Sequence, residues 1–118
     1  GSLWTTVASG TAQTLLGIWG SSASEVWAVG VSGTILRWTG SAWFAVTSGA
    51  TQNLRSVGGA AADNVWAVGA QGTALHFTGS GWSALGSGTA QDLSAIWASD
   101  VSNVWIVGNS GTILHRQR

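Results

Sequence analysis

Apolar residues occur along this chain in short bursts separated by glycine and serine, and the bursts return at one constant interval. With residues 10–48, 49–87 and 88–118 laid over one another, the first two units match at 19 of 39 positions without a gap. Ten columns hold one residue in all three units, among them Trp27/Trp66/Trp105, Gly33/Gly72/Gly111, Thr34/Thr73/Thr112 and Leu36/Leu75/Leu114. The third unit stops at Arg118. Its missing tail stands at the other end of the chain, where residues 1–9 (GSLWTTVAS) align with 40–48 (GSAWFAVTS) and 79–87 (GSGWSALGS). The chain reads as three whole units in circular permutation.

Each unit predicts four short strands. The first is Leu15–Gly20 with copies Leu54–Gly59 and Leu93–Ala98. The second is Val26–Gly30, the run VWAVG, repeated as VWAVG and VWIVG. The third is Thr34–Trp38, and the fourth is Trp43–Val46 with copies Trp82–Leu85 and Trp4–Val7. Runs of about five residues rich in Val, Ile, Thr and Trp, bounded by Gly and Ser, favour antiparallel β-structure. Gly33, Gly72 and Gly111 fall where a tight hairpin needs positive φ. The second strand is apolar on both faces, so both faces must be covered. No stretch combines a helical apolar period with freedom from Gly over the length of a helix.

Four strands per repeat of about 40 residues, covered on both faces, is the pattern of a β-propeller blade. The expected fold is all-β, with blade 1 at 10–48, blade 2 at 49–87, a three-stranded blade 3 at 88–118, and residues 1–9 as the outer strand of a last blade. Propellers have about four to eight blades, so three blades leave an apolar face at each end and an unpaired strand edge. Such surfaces drive association. The expected partner is a second copy, two chains giving a six-bladed ring with Trp4, Thr5, Thr6 and Val7 seated beside Thr112, Ile113, Leu114 and His115 of the neighbour. A nine-bladed trimer satisfies the same pairing.

Composition removes several alternatives. The sequence has no Cys, Met, Pro, Tyr or Lys, and four Arg balance four acids. Without Cys there is no disulfide or thiolate metal chemistry. A neutral chain without Lys has no basic stripe for nucleic acid. No run of about 18 apolar residues is present for a membrane span, and no charged-then-apolar leader opens the sequence. The phase-perfect ends fit a fragment excised from, or engineered upon, a longer repeat protein.

The run VWAVG-x-x-GT-x-L, followed by a G-S-x-W turn, resembles bacterial propeller repeats of the BNR/Asp-box-like kind. It is also similar to repeats of photosystem II stability factors. The resemblance covers all 118 residues. It implies the blade fold and a bacterial parent, secreted or at the cell surface. Functions in such families run from assembly factors to lectin-like modules and glycosidases. The turns here read Val31-Ser32-Gly33, Ala70-Gln71-Gly72 and Asn109-Ser110-Gly111, without the acid of an Asp-box.

Catalysis needs an acid, base or nucleophile with an activating partner. Glu25, Asp63, Asp92 and Asp100 show no dyad spacing, and a sialidase-type Tyr nucleophile is absent. No catalytic residue, cofactor or metal site is expected. Arg37, His76 and His115 share one column, which reads either as a ring of anion contacts or as hydrogen-bonded strand residues. Trp27, Trp66 and Trp105 are expected in the core between blades. Trp4, Trp43 and Trp82 are expected on the outer blade surface. Trp19 and Trp97 share a column with Gly58, so repeat symmetry does not require them. They read either as an aromatic platform for a glycan or as fillers beside small neighbours. The function expected is a self-assembling module with a structural or interaction role. A multivalent carbohydrate-binding propeller is the alternative, and a glycosidase-related enzyme the remote one.

Overall fold

The computed structural model describes residues 4–116. The first three residues of the 1–9 segment and the last two of the third unit lie outside the described residues. Eleven strands follow one another: β1 (Leu15–Ser22), β2 (Glu25–Gly30), β3 (Ile35–Trp38), β4 (Trp43–Val46), β5 (Leu54–Ala61), β6 (Asn64–Gly69), β7 (Ala74–Phe77), β8 (Trp82–Leu85), β9 (Leu93–Asp100), β10 (Asn103–Gly108) and β11 (Ile113–Arg116). They form three antiparallel sheets in chain order: β1–β4, β5–β8 and β9–β11. The three sheets take the labels blade 1, blade 2 and blade 3 in chain order. The first strand of each blade runs two residues beyond the expected end, and residues 4–14 carry no strand within this chain.

The hairpin between second and third strands explains two invariant columns. Ser32 and Gly33 both have positive φ (58° and 75°), as do Gln71 and Gly72, and Ser110 and Gly111. Positive φ at both central residues matches the right-handed twist of the flanking strands. The turn closes by Thr34 N–H donating to Val31 O at 3.2 Å. The Thr34 hydroxyl donates to the same carbonyl at 2.8 Å, and Thr73 and Thr112 repeat this on Ala70 and Asn109. A serine would keep that bond but lose the β-branch that suits the extended backbone leaving the turn.

Packing between blades follows the strand alternation. Trp27, Val29 and Ile35 of blade 1 face Val57, Val65, Ala67, Leu75 and Phe77 of blade 2. The opposite face of blade 2 sends Val68 and Ala74 onto Leu93, with Ile96, Ile106 and Leu114 of blade 3 packed around them. Blade 2 is therefore covered on both sides. Val65, Trp66, Ala67 and Val68 are consecutive and all buried, which explains an apolar run with no alternation. Each buried valine of that run contributes about 1.5–3 kcal/mol through burial. The stack is open at both ends. Blade 1 has one free face, blade 3 has the other, and the third sheet ends at β11.

Candidate functional site

The titratable column is tied down within its own blades. The Arg37 guanidinium donates to both carboxylate oxygens of Glu25 at 3.0–3.2 Å. It also lies 5.0 Å from the Trp27 ring centroid and 5.5 Å from that of Phe77. His76 stacks on Trp66 at 4.6 Å with planes 2° apart, and its Nε2 is 3.2 Å from Asn64 Oδ1. His115 repeats this on Trp105 and Asn103 at 3.8 Å and 3.3 Å. Two columns change together: Glu25 with Arg37, Asn64 with His76, Asn103 with His115. The three residues sit on three different blades, each engaged by a neighbour on the second strand.

Burial, and then the Arg116 guanidinium, hold His76 below its ordinary pKa. A lowered folded-state pKa favours the neutral ring, so its contribution is fully present above about pH 6.5 and is lost as pH falls through the folded value. His76→Gln is expected to flatten that part of the acid side of the stability curve. Thermal melts of both proteins at pH 7.5 and 5 measure the difference. Equal slopes would remove His76 as the source.

Polar side chains lock each blade to the next. The Ser48 hydroxyl donates to Gly33 O at 2.7 Å and accepts from Ala50 N–H at 3.0 Å. Ser87 repeats this with Gly72 and Thr89. Asn53 Oδ1 accepts from Ser32 N–H at 2.9 Å, and Asp92 Oδ1 from Gln71 N–H at 2.8 Å, each reaching back from one blade to the turn before it. Asp92 Oδ2 also lies 3.8 Å from Arg55 Nη2. Asp92 and Glu25 are thus structural anchors. The sequence signal for Glu25 was its change in step with Arg37. For Asp92 it was the column Thr14/Asn53/Asp92, all hydrogen-bond acceptors.

The two end faces are built from the same columns as the covered ones. Blade 1 presents Ile18, Val26 and Trp38, the counterparts of Val57, Val65 and Phe77. Together with Val7 and Trp43 they line a groove of about 270 Å³. Blade 3 presents Trp97, Trp105, Val107 and Ile113, the counterparts of blade 1 residues facing blade 2. Trp97 is 60% exposed and Trp105 41%, whereas Trp27 is 1% and Trp66 2% exposed. Two of the three expected core tryptophans are enclosed, and the third stands on an end face. Trp82 packs on Trp27 of blade 1 (5.2 Å, edge-on) and on Phe77 (5.5 Å), at the junction of the two blades rather than on the outer surface. Trp19 lies at the junction of blades 1 and 2, and Trp97 on the free face of blade 3, so they form no common platform.

The seam residues divide between the two ends. Thr112, Ile113, Leu114 and His115 hold the edge of blade 3. Trp4, Thr5, Thr6 and Val7 lie at the other end, where Val7 stands over Ile18 and Trp43 and Trp4 is 99% exposed. Ser9 already makes the local half of the serine lock, accepting from Thr11 N–H at 3.3 Å. Gly33 and Gly72 are each closed by a carbonyl of the next blade, Ala50 O and Thr89 O, whereas a Cβ at Gly111 would meet nothing within 4 Å. Among the described residues no group of three His, Cys, Asp or Glu is placed to hold a metal. No helix among them is long and apolar enough to cross a membrane.

No protein-family model matches the chain, and no curated protein matches it. Among solved structures it is similar to one described as YCF48 bound to D1 peptide, a β-propeller, with a TM-score of 0.75 and 24% sequence identity. The match covers 89% of this chain and 37% of the length of that one. The likeness carries the fold: this chain is an all-β, β-propeller-like stack of blades.

Proposed function

We propose that this chain is a non-catalytic, self-assembling half of a β-propeller, whose two-copy, six-bladed ring serves a structural or interaction role. The observation that carries this is the match between its ends. The free face of blade 1 has apolar counterparts (Ile18, Val26, Trp38) of the residues that blade 2 presents to blade 1 (Val57, Val65, Phe77), and the free face of blade 3 has the same residues that blade 1 presents to blade 2. One chain therefore holds both halves of its own junction, the condition for head-to-tail closure. The strand edge completes the match. Shifting the β3–β4 register by two repeats on one strand and back by one on the other pairs Ile113 with Val7, Leu114 with Thr6, His115 with Thr5 and Arg116 with Trp4. The paired Arg37–Glu25 and the anchored Asp92 leave little for catalysis.

The mass in solution tests this reading. The expected value is twice the 12.0 kDa of the single chain. Three times the single-chain mass assigns the nine-bladed ring, and a stable monomer overturns self-assembly. The similar structure's bound peptide supports a polypeptide as the ring's ligand class. The exposed Trp97 indole supports the competing glycan reading. A ring would cover that indole, so the two readings compete: millimolar sugar that shifts tryptophan fluorescence and breaks the ring into single chains favours the glycan at Trp97, and an unchanged spectrum and mass disfavour it.

A further inference from the structure

The geometry points to a bulk-and-gap rule on the first strand of each blade that decides which faces dock, with Trp97 of one copy lying on Gly20 of the next. This rests on the ring-closing reading above and deepens it, from a pair of matching faces to the residues that set their register. Two adjacent columns of the repeat read Trp19-Gly20, Gly58-Gly59 and Trp97-Ala98. Between blades 1 and 2 the Trp19 indole lies against Gly59. A Cβ at Gly59 would stand 2.8 Å from both Trp19 Cη2 and the blade's own Asn64 O, closer than real side chains approach, so the indole and the local backbone together keep that position glycine.

Between blades 2 and 3 the arrangement is reversed. Ala98 brings a methyl to the second column, and blade 2 has Gly58 where blade 1 has Trp19. A Cβ at Gly58 would stand 3.2 Å from Ile96 Cγ2, so the space an indole would need is taken. At the first junction an indole meets a glycine, and at the second a glycine meets the Ile96 side chain.

Blade 3 ends in bulk: Trp97 is a large indole, 60% exposed. Its complement is a glycine in the neighbouring blade's second column. The chain has two, and Gly59 already carries Trp19. Gly20 remains, on the free face of blade 1, beside the groove lined by Val7, Ile18, Val26, Trp38 and Trp43. The counterparts Val57, Val65, Phe77 and Trp82 surround the Trp19–Trp27 pair at the internal junction. The groove's occupant is accordingly the Trp97–Trp105 pair of a second copy of this chain. Because bulk faces gap, blade 3 docks on blade 1 and never on another blade 3.

A compensation experiment tests the rule. Gly20→Ala places a methyl under the incoming indole, and Trp97→Gly removes the indole. Each is expected to weaken association measured by sedimentation, by about tenfold or more for Gly20→Ala and about thirtyfold or more for Trp97→Gly, an aromatic anchor. The double variant rebuilds at the seam the Gly58–Ala98 combination that joins blades 2 and 3, and is expected to recover most of the loss. Within its own blade the new methyl stands 3.0 Å from Glu25 O, and Ala98 occupies the same position beside the bulge of blade 3. Far-UV circular dichroism of each variant monitors that local fit. Additive losses, or an unaffected Gly20→Ala, with the wild type still assembled, overturn the rule and leave the ring reading standing. A monomeric wild type overturns both.

Discussion

Removal of residues 1–9 is expected to convert a discrete two-copy ring, twice the 12.0 kDa chain mass, into monomer that aggregates, with loss of the defined oligomer in sedimentation at any practical concentration. The reason lies in what the segment faces. Trp82 of the complete blade 2 packs on Trp27 and Phe77. The counterparts in the next junction are Trp66 and Arg116, whose guanidinium lies 5.9 Å from the Trp66 centroid. These two, with Leu85, Ser87 and Leu114, line a cleft of about 200 Å³. Trp4 is the fourth-strand tryptophan of that column and is 99% exposed in the single chain. Buried Trp66 Nε1 has no hydrogen-bond partner among the described residues. An aromatic anchor costs about 2–4 kcal/mol when truncated. Four lost strand pairings add about 0.5–1.5 kcal/mol per hydrogen bond. Together these weaken association by at least about a thousandfold. The exposed β11 edge, with Ile113 64% exposed, then becomes an aggregation site. A truncated chain that still sediments as the ring would show that the strand is not exchanged.

The repeat made most of this fold legible before any coordinate. The constant spacing of Trp27, Trp66 and Trp105 set the length of a blade and so the number of its strands, and the fourth strands Trp43–Val46 and Trp82–Leu85 fall where the pattern put them. Glycine marked the hairpins, because positive φ is a local demand that one residue type answers cheaply. Three things were hidden. The longer first strands pass through a bulge, between Gly20 and Ser22 in blade 1, and a register shift leaves no compositional mark. The packing of Trp82 on Trp27 crosses from one blade to the next, and periodicity does not encode which side chains meet there. The locks made by Asn53 and Asp92 join positions 21 residues apart, too far for any local motif. The Arg37–Glu25 pair was recoverable, since its two columns change together across the three units. The pairing of Trp19 with Gly59 was hidden because each looked like an exception to the repeat. Only the stacking direction shows that one exception answers the other.

Substituting the same glycine in successive blades is expected to separate folding from assembly. Gly72 has φ +75°, and a Cβ there would run into the Thr89 carbonyl oxygen of the next blade. Gly72→Ala therefore combines the left-handed penalty, about 1 kcal/mol, with displacement of the next blade's backbone. The total is expected to reach about 3 kcal/mol, a fall in Tm of roughly 10 °C for a chain of this size. Gly111 has the same φ of +75°, but a Cβ there meets nothing within 4 Å in the single chain. Gly111→Ala is expected to cost the chain only the backbone part. In the ring, however, the Thr11 carbonyl of a second copy falls where Ala50 O and Thr89 O stand against Gly33 and Gly72, and the methyl blocks it. The prediction is a folded Gly111→Ala protein, with strand signal intact, that sediments at the single-chain mass of 12.0 kDa. A Gly111→Ala chain that still assembles would mean that the seam between copies does not repeat the junctions within one chain, whatever the shape of its end faces.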